Sequence, residues 1–239
     1  MLQTADRVTY DEDLEMFRDQ VRKLLAKVIE PNIGQYEADG IVPRQVWKVF
    51  GEAGLLCPTV PEAYGGVGLD FRYNAVVGEE ASYLGIGLGM PLHSDIVAGY
   101  LLQYGSEDLK KRWLPKMVSG EVITAIAMTE PGAGSDLQGV RTTAVRDGDH
   151  YVINGQKTFI TNGQNSDLIV VVARTKPEGG AKGTSLILVE GDRDGFKRGR
   201  NLDKIGLHAN DTSELFFEDV RVPVGNCLGE ENNGFRYLM

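Results

Sequence analysis

The apolar residues of this chain keep a helical spacing up to about Gly120 and a strand-like spacing after it, and this change of period limits the folds open to it more than any other feature. Over 13–29, Leu14, Phe17, Val21, Leu24, Leu25 and Val28 share one helical face, and Pro31 follows just beyond. Further helical patterns run over 44–53, closed by Gly54, over 72–83, over 91–104, and from the cap Ser106 through Met117. Past Gly120 the β-branched run 122–128 is too short for a buried helix, and 142–145 and 151–153 flank an Asp147-Gly148 turn that suggests a hairpin. Segments 167–174, 185–190 and 214–217 add strands. No long helices alternate with them, which disfavours a doubly wound parallel sheet. The expected fold class is α+β: an all-α amino-terminal domain over 1–121, then a mainly antiparallel β domain over 122–226. Residues 227–239 read as a turn entering a new helix that stops within its first turns, the start of a truncated carboxy-terminal domain.

Charge and composition narrow the function. The formal net charge of -9, from 34 acidic against 25 basic residues, would repel a phosphate backbone, and the short basic run 196–200 reads as a solvated strand or loop, so no nucleic-acid partner is expected. Cys57 and Cys227 are far apart with no histidine cluster nearby, which supports neither a disulfide framework nor a thiolate metal site and fits a reducing compartment. His93, His150 and His208 sit at no metal-ligand spacing, so no metal is expected. The amino terminus lacks the basic and apolar segments of a signal peptide. The most apolar run, 168–173, is far short of the roughly 20 residues a membrane helix needs. A soluble protein of the cytoplasm, or a mature protein of the mitochondrial matrix, is expected.

Two polar, glycine-containing segments interrupt the β half. In Met128-Thr129-Glu130-Pro131-Gly132-Ala133-Gly134-Ser135-Asp136, the glycines let backbone amides approach a ligand, and Thr129 and Ser135 offer hydroxyl donors. In Lys157-Thr158-Phe159-Ile160-Thr161-Asn162-Gly163, a period of two puts Phe159 and Thr161 on one face, an aromatic surface beside a hydroxyl. On spacing alone each segment is more simply a glycine-rich turn with satisfied polar side chains, and composition does not choose between the readings. Gly85-Ile86-Gly87-Leu88-Gly89 follows a helical pattern and lacks the full dinucleotide spacing, so it reads as loop or helix packing.

The run 127–136, followed by Ile153-Asn154-Gly155-Gln156-Lys157-Thr158-Phe159-Ile160-Thr161-Asn162-Gly163, resembles the paired signatures of the acyl-CoA dehydrogenase family. The likeness extends to 60–66, 91–94 and 215–223, and 182–190 with Gly206-Leu207 is most similar to the long-chain branch. The resemblance implies FAD as cofactor and an acyl-CoA thioester as substrate, oxidised to a trans-2-enoyl-CoA. It implies electron-transfer flavoprotein as electron acceptor, and a homo-oligomeric parent assembled through a carboxy-terminal four-helix domain absent from these residues. It places Ile126, Ala127, Met128 and Thr129 along the flavin ring, with Thr129 donating to it, and Gly134 and Ser135 near cofactor and acyl-CoA. Phe159, Ile160 and Thr161 cover the opposite ring face, Phe159 standing where many relatives carry Trp. The resemblance also places Ala181 and Lys182 near the substrate, a solvated loop being the alternative reading. An acyl-CoA oxidase, a flavin monooxygenase or a non-catalytic fragment on the same scaffold are the competing readings.

No catalytic residue is expected here. The resemblance puts the glutamate base beyond Met239, and Glu130, next to Pro131, reads as structural. Residues 1–239 alone are accordingly expected not to dehydrogenate an acyl-CoA, because a general base is worth roughly 10²–10⁴-fold. The check is anaerobic flavin reduction by this segment against a longer chain at equal FAD occupancy.

Overall fold

The computed structural model describes residues 10–239. Three of the helices begin where a side chain can accept an otherwise orphaned amide. Asp11 accepts from Leu14 at the start of α1 (Glu12–Val28), Asp70 from Arg72 at α4 (Phe71–Tyr83), and Ser106 from Leu109 at α6 (Glu107–Val118). Between them lie α2 (Ile33–Asp39) and α3 (Arg44–Glu52). Helix α2 is missed by the sequence reading, which stops at Pro31. That proline sits instead in a 3₁₀ turn, Glu30–Asn32, where its missing N–H is harmless and the chain turns directly into the next helix. The pattern over 91–104 divides into a π-helical stretch, Leu92–Val97, and α5 (Ala98–Tyr104).

The β half contains β1 (Thr124–Ala127), β2 (Thr143–Asp147), β3 (His150–Thr161), β4 (Leu168–Arg174), β5 (Thr184–Glu190), β6 (Phe196–Asn201), β7 (Thr212–Pro223) and β8 (Cys227–Leu228), before a short α7 (Gly234–Leu238). Their order is β6-β7-β3-β2-β4-β5-β8, with β1 added to β4. Pairing is antiparallel except that β1 runs parallel to β4 and β2 meets β4 in parallel at the single pair Thr143↔Arg174. The basic run 196–200 becomes edge strand β6, where Arg198 donates to the Ser166 carbonyl at 2.6 Å.

Two hydrophobic cores meet at β4. Leu168, Val170 and Val172 pack with the helices in a core that includes Leu25, Trp47, Leu114 and Met117, whereas Ile169, Val171 and Ala173 belong to a core inside the sheet with Ile153, Ile160, Leu215 and Val222. Burial on both faces explains why 168–173 is uninterruptedly apolar rather than alternating.

Strands β3 and β7 carry compensating bulges. Between Ile153↔Val220 and Gly155↔Phe217, β7 uses three residues for two of β3; between Lys157↔Leu215 and Ile160↔Ser213, β3 uses three for two of β7. Each bulge contains one non-glycine residue at positive φ, Asp219 (φ 52) and Phe159 (φ 59). Asn154 and Asp219 exchange two hydrogen bonds of 2.9 Å across the first.

The halves are joined by directional contacts as well as by burial. Arg44 donates to the carbonyls of Asn165 and Glu121 and to Asp167, while Asn162 donates to Gly89 O at 3.1 Å and Thr124 O at 3.0 Å. Gly89 has φ +66, and a Cβ there would collide with the Asn162 side chain. Fully buried His93 donates from Nε2 to Met117 O at 3.1 Å and accepts at Nδ1 from the Thr124 amide at 3.3 Å, which fixes a neutral tautomer.

Burial lowers the His93 pKa to about 4, against the opposing bond to Met117. Between that value and the ordinary 6.5 the unfolded chain binds more protons than the folded one, so stability is complete above about pH 6.5 and falls as pH drops toward 4. His93→Gln should flatten this part of the stability–pH curve by roughly 2–4 kcal/mol, measured by denaturant titration between pH 4 and 7.5.

Candidate functional site

The long connection between β1 and β2 leaves the sheet at Met128 and returns at Arg141, and its first turn is tied to β3 by two reciprocal bonds. The Thr158 amide donates to Thr129 O at 2.9 Å, and the Thr129 hydroxyl donates to Thr158 O. The next residue, Phe159, occupies the β3 bulge in a left-handed backbone conformation with its side chain 69% exposed, while Thr158 and Ile160 on either side are buried. A strained backbone that holds a large apolar ring in solvent is costly unless the ring has something to meet, and such strain concentrates at ligand sites.

The loop itself is open. At Gly132 and Gly134 no atom of the chain lies within 4 Å of where a Cβ would be, and neither residue has a positive φ. Neither crowding inside the chain nor backbone conformation demands glycine at these positions, and the open space beside the backbone admits close approach of a ligand.

Beneath the loop lies a buried charge pair. Lys157, with no exposed surface, donates to Glu130 Oε1 at 2.8 Å and to Met128 O at 3.0 Å. Glu130 Oε2 accepts from the Arg141 amide at 2.7 Å, and Oε1 from the Thr142 amide at 2.9 Å. Burial pushes the Lys157 ammonium down to about 8 against the attraction of Glu130. Burial also opposes ionisation of Glu130, but Lys157 and the two amides outweigh it and hold the carboxyl below its ordinary range.

The residues singled out in the sequence separate into distinct environments. Ile126, Ala127 and Ile160 are 7%, 0% and 2% exposed, with side chains in the two cores, so only their backbone can face a ligand. Met128 and Thr129 are half-buried, Gly134 and Ser135 exposed. Thr161 lines a cavity of about 420 Å³ with Gly85, Gly89, Leu92, Leu207 and Asn210. Lys182 lines another, of about 460 Å³, with Asn232, Asn233, Phe235 and Arg236; the Ala181 side chain lies outside the described residues. Among the described residues no cluster of His, Cys, Asp and Glu could hold a metal. Sequence reasoning gives Lys157 no role, although strand parity was a usable signal, since 157 shares the phase of the buried Tyr151 and Ile153.

This geometry can be set beside known proteins. The model of the acyl-CoA dehydrogenase N-terminal domain matches residues 11–121, and that of the middle domain matches 125–220. The mitochondrial long-chain specific acyl-CoA dehydrogenase of Sus scrofa is 50% identical over 98% of this chain and 55% of its own length, so the chain spans about half the length of the curated relatives it matches. An acyl-CoA dehydrogenase structure from Geobacillus kaustophilus superposes with a TM-score of 0.95 at 54% identity, covering 97% of this chain and 62% of that one. A glutaryl-CoA dehydrogenase from Mycobacterium smegmatis, solved in complex with FADH2, superposes with a TM-score of 0.85 at 30% identity over 93% of this chain and 57% of its own.

Phe159→Gly separates strain from ligand binding. Relief of left-handed strain, about 1–2 kcal/mol, outweighs the roughly 0.5–1 kcal/mol entropic cost of glycine, so thermal stability should hold or rise slightly while retention of a flat aromatic ligand falls. Paired melting and ligand-retention measurements check both signs.

Proposed function

Because the chain belongs to the acyl-CoA dehydrogenase family, carrying its N-terminal and middle domains, we propose that the protein holds FAD against the Thr129 loop and the Phe159 bulge and serves α,β-dehydrogenation of an acyl-CoA thioester to a trans-2-enoyl-CoA. The observation that carries this reading is Phe159, an exposed ring fixed in a strained bulge next to a loop whose glycines are crowded by nothing in the chain. The donor set suits a flat heterocycle with polar edges: an aromatic face from Phe159, the backbone of 126–129, and hydroxyls on Thr129, Ser135 and Thr161. When bound, FAD would accept the hydride that leaves the β carbon as the α proton is removed.

The chain's own groups bind and orient. The Thr129 hydroxyl donates to Thr158 O, so donation to a ring acceptor requires it to rotate away from that carbonyl. Lys182 and Arg236, flanked by Asn232 and Asn233, offer cationic and polar contacts suited to the phosphates of a CoA thioester. Glu130 is not assigned as the α-proton base, because its carboxylate is buried, committed to Lys157 and two amides, and held below the ordinary range. Among the described residues no helix is long and apolar enough to cross a membrane. An aqueous compartment, the cytoplasm or the mitochondrial matrix, electron-transfer flavoprotein as acceptor and a homo-oligomeric whole complete the proposal.

The test is reconstitution of the whole protein, rather than of residues 1–239 alone, with FAD followed by anaerobic titration with saturated acyl-CoAs of graded chain length. Bleaching of the flavin with formation of a 2-enoyl thioester is expected. Thr129→Val should weaken FAD binding by about 1–3 kcal/mol, whereas Thr129→Ser, which keeps the donor, should not. A protein that takes up no FAD, or that is reduced only by another substrate class as a monooxygenase would be, overturns the reading.

A further inference from the structure

Lys157 is anomalous where it stands. It points inward from β3 in phase with Tyr151 and Ile153, on a face otherwise apolar, and no part of it reaches solvent. A buried ion pair is seldom a net source of stability, and well-packed apolar residues of similar volume usually serve as well or better. The contacts suggest another reason for the pair. Lys157 grips the start of the connection at the Met128 carbonyl and the Glu130 carboxylate. Glu130 grips its end at the Arg141 and Thr142 amides, and Glu130 and Ala133 exchange backbone bonds of 2.9 and 3.1 Å. One ion pair thus closes the neck of the loop that carries Gly132, Gly134 and Ser135. The same Lys157 is the last residue in register before the bulge that presents Phe159, and the neighbouring Thr158 is tied to Thr129.

We propose that Lys157 and Glu130 are positioning residues for the flavin: their charge pair fixes the glycine loop relative to the Phe159 bulge, so that the hydroxyl and backbone donors of one and the aromatic face of the other stand at a set separation. The inference rests on the FAD reading of this site. Both side chains are buried, so neither would touch the cofactor directly. Each acts through groups that do: Lys157 through Met128 O and the bulge, Glu130 through the two ends of the loop. The side chains of the pair are oriented by four bonds to backbone or carboxylate partners, so exchanging them for uncharged side chains of similar size would keep the volume filled while removing the ion pair that closes the neck.

The experiment uses the full-length protein and the variants Lys157→Met, Glu130→Gln, Lys157→Met/Glu130→Gln and Lys157→Arg, with three readouts. These are the FAD dissociation constant and visible circular dichroism of the bound flavin, amide exchange at Arg141, Thr142 and Thr158 in FAD-free protein, and thermal stability. The single variants leave one buried charge unpaired and are expected to melt earlier. The double variant, with neither charge, is expected to recover most of the lost stability. It should still bind FAD roughly tenfold or more weakly, with altered flavin dichroism and faster exchange at Arg141 and Thr142, as the loss of one or two orienting hydrogen bonds implies. Lys157→Arg, which keeps the cation, should recover part of the affinity. A double variant whose FAD affinity and dichroism return together with its stability would show the pair to be structural only and overturn the proposal. Failure of the unsubstituted protein to bind FAD would instead refute the cofactor reading beneath it.

Discussion

Everything in this molecule depends on one strand being dry on both faces. Alternate residues of β4 serve different cores, Leu168, Val170 and Val172 facing the helices and Ile169, Val171 and Ala173 facing the interior of the sheet. At about 25 cal/mol per Å² of apolar surface removed from water, a strand buried on both sides is among the most strongly held elements a chain can build. The helical half and the β half are distinct in composition and period, yet the helices complete their core only with residues of the sheet, Leu168, Val170, Val172, Leu186 and Leu188 among them.

The candidate site is a consequence of that arrangement. Strand β1 pairs in parallel with β4 and therefore ends beside it, so the connection to β2 must travel across the end of the sheet, where it meets β3. The contacts that secure this crossing are polar: Thr129 with Thr158, Lys157 with Met128 and Glu130, and Glu130 with the start of β2. Apolar packing holds the scaffold, while hydrogen bonds set the loop and bulge, which suits a surface that must present backbone and hydroxyl groups outward.

Much of the architecture is legible in the sequence, because period and capping are local properties. The change of spacing at Gly120 corresponds to the passage from α6, ending at Val118, to β1, beginning at Thr124, and Ser106 and the Asp147-Gly148 turn act where their chemistry places them. What escapes is non-local. Helix α2 is hidden because Pro31 reads as a stop when its neighbours are unknown, and edge strand β6 stays undecided between strand and loop because its residues are mostly exposed and charged. At the site, the two motifs are visible, but composition cannot tell a ligand loop from a satisfied turn. The distinguishing facts, the left-handed Phe159 and the uncrowded Gly132 and Gly134, exist only in three dimensions. The burial of Ile126, Ala127 and Ile160 follows from the register of β1 and β3 within the sheet, which periodicity alone does not fix.

The paired bulges of β3 and β7 also constrain how this sequence can vary over evolutionary time. Each alone would shift the pairing of the strand segments beyond it by one residue; together they cancel, so Tyr151↔Val222 at one end and Thr161↔Thr212 at the other share the same register. Only in the short window between them is the pairing of β3 with β7 shifted by one residue, and Lys157 lies in that window. A single-residue deletion at 159 or at 219 would be punished as a frame error along the ladder, whereas matched deletions would restore the frame while removing the window. Positions 159 and 219 are therefore linked in their tolerance of insertions and deletions by the arithmetic of the ladder, without any need for their side chains to touch.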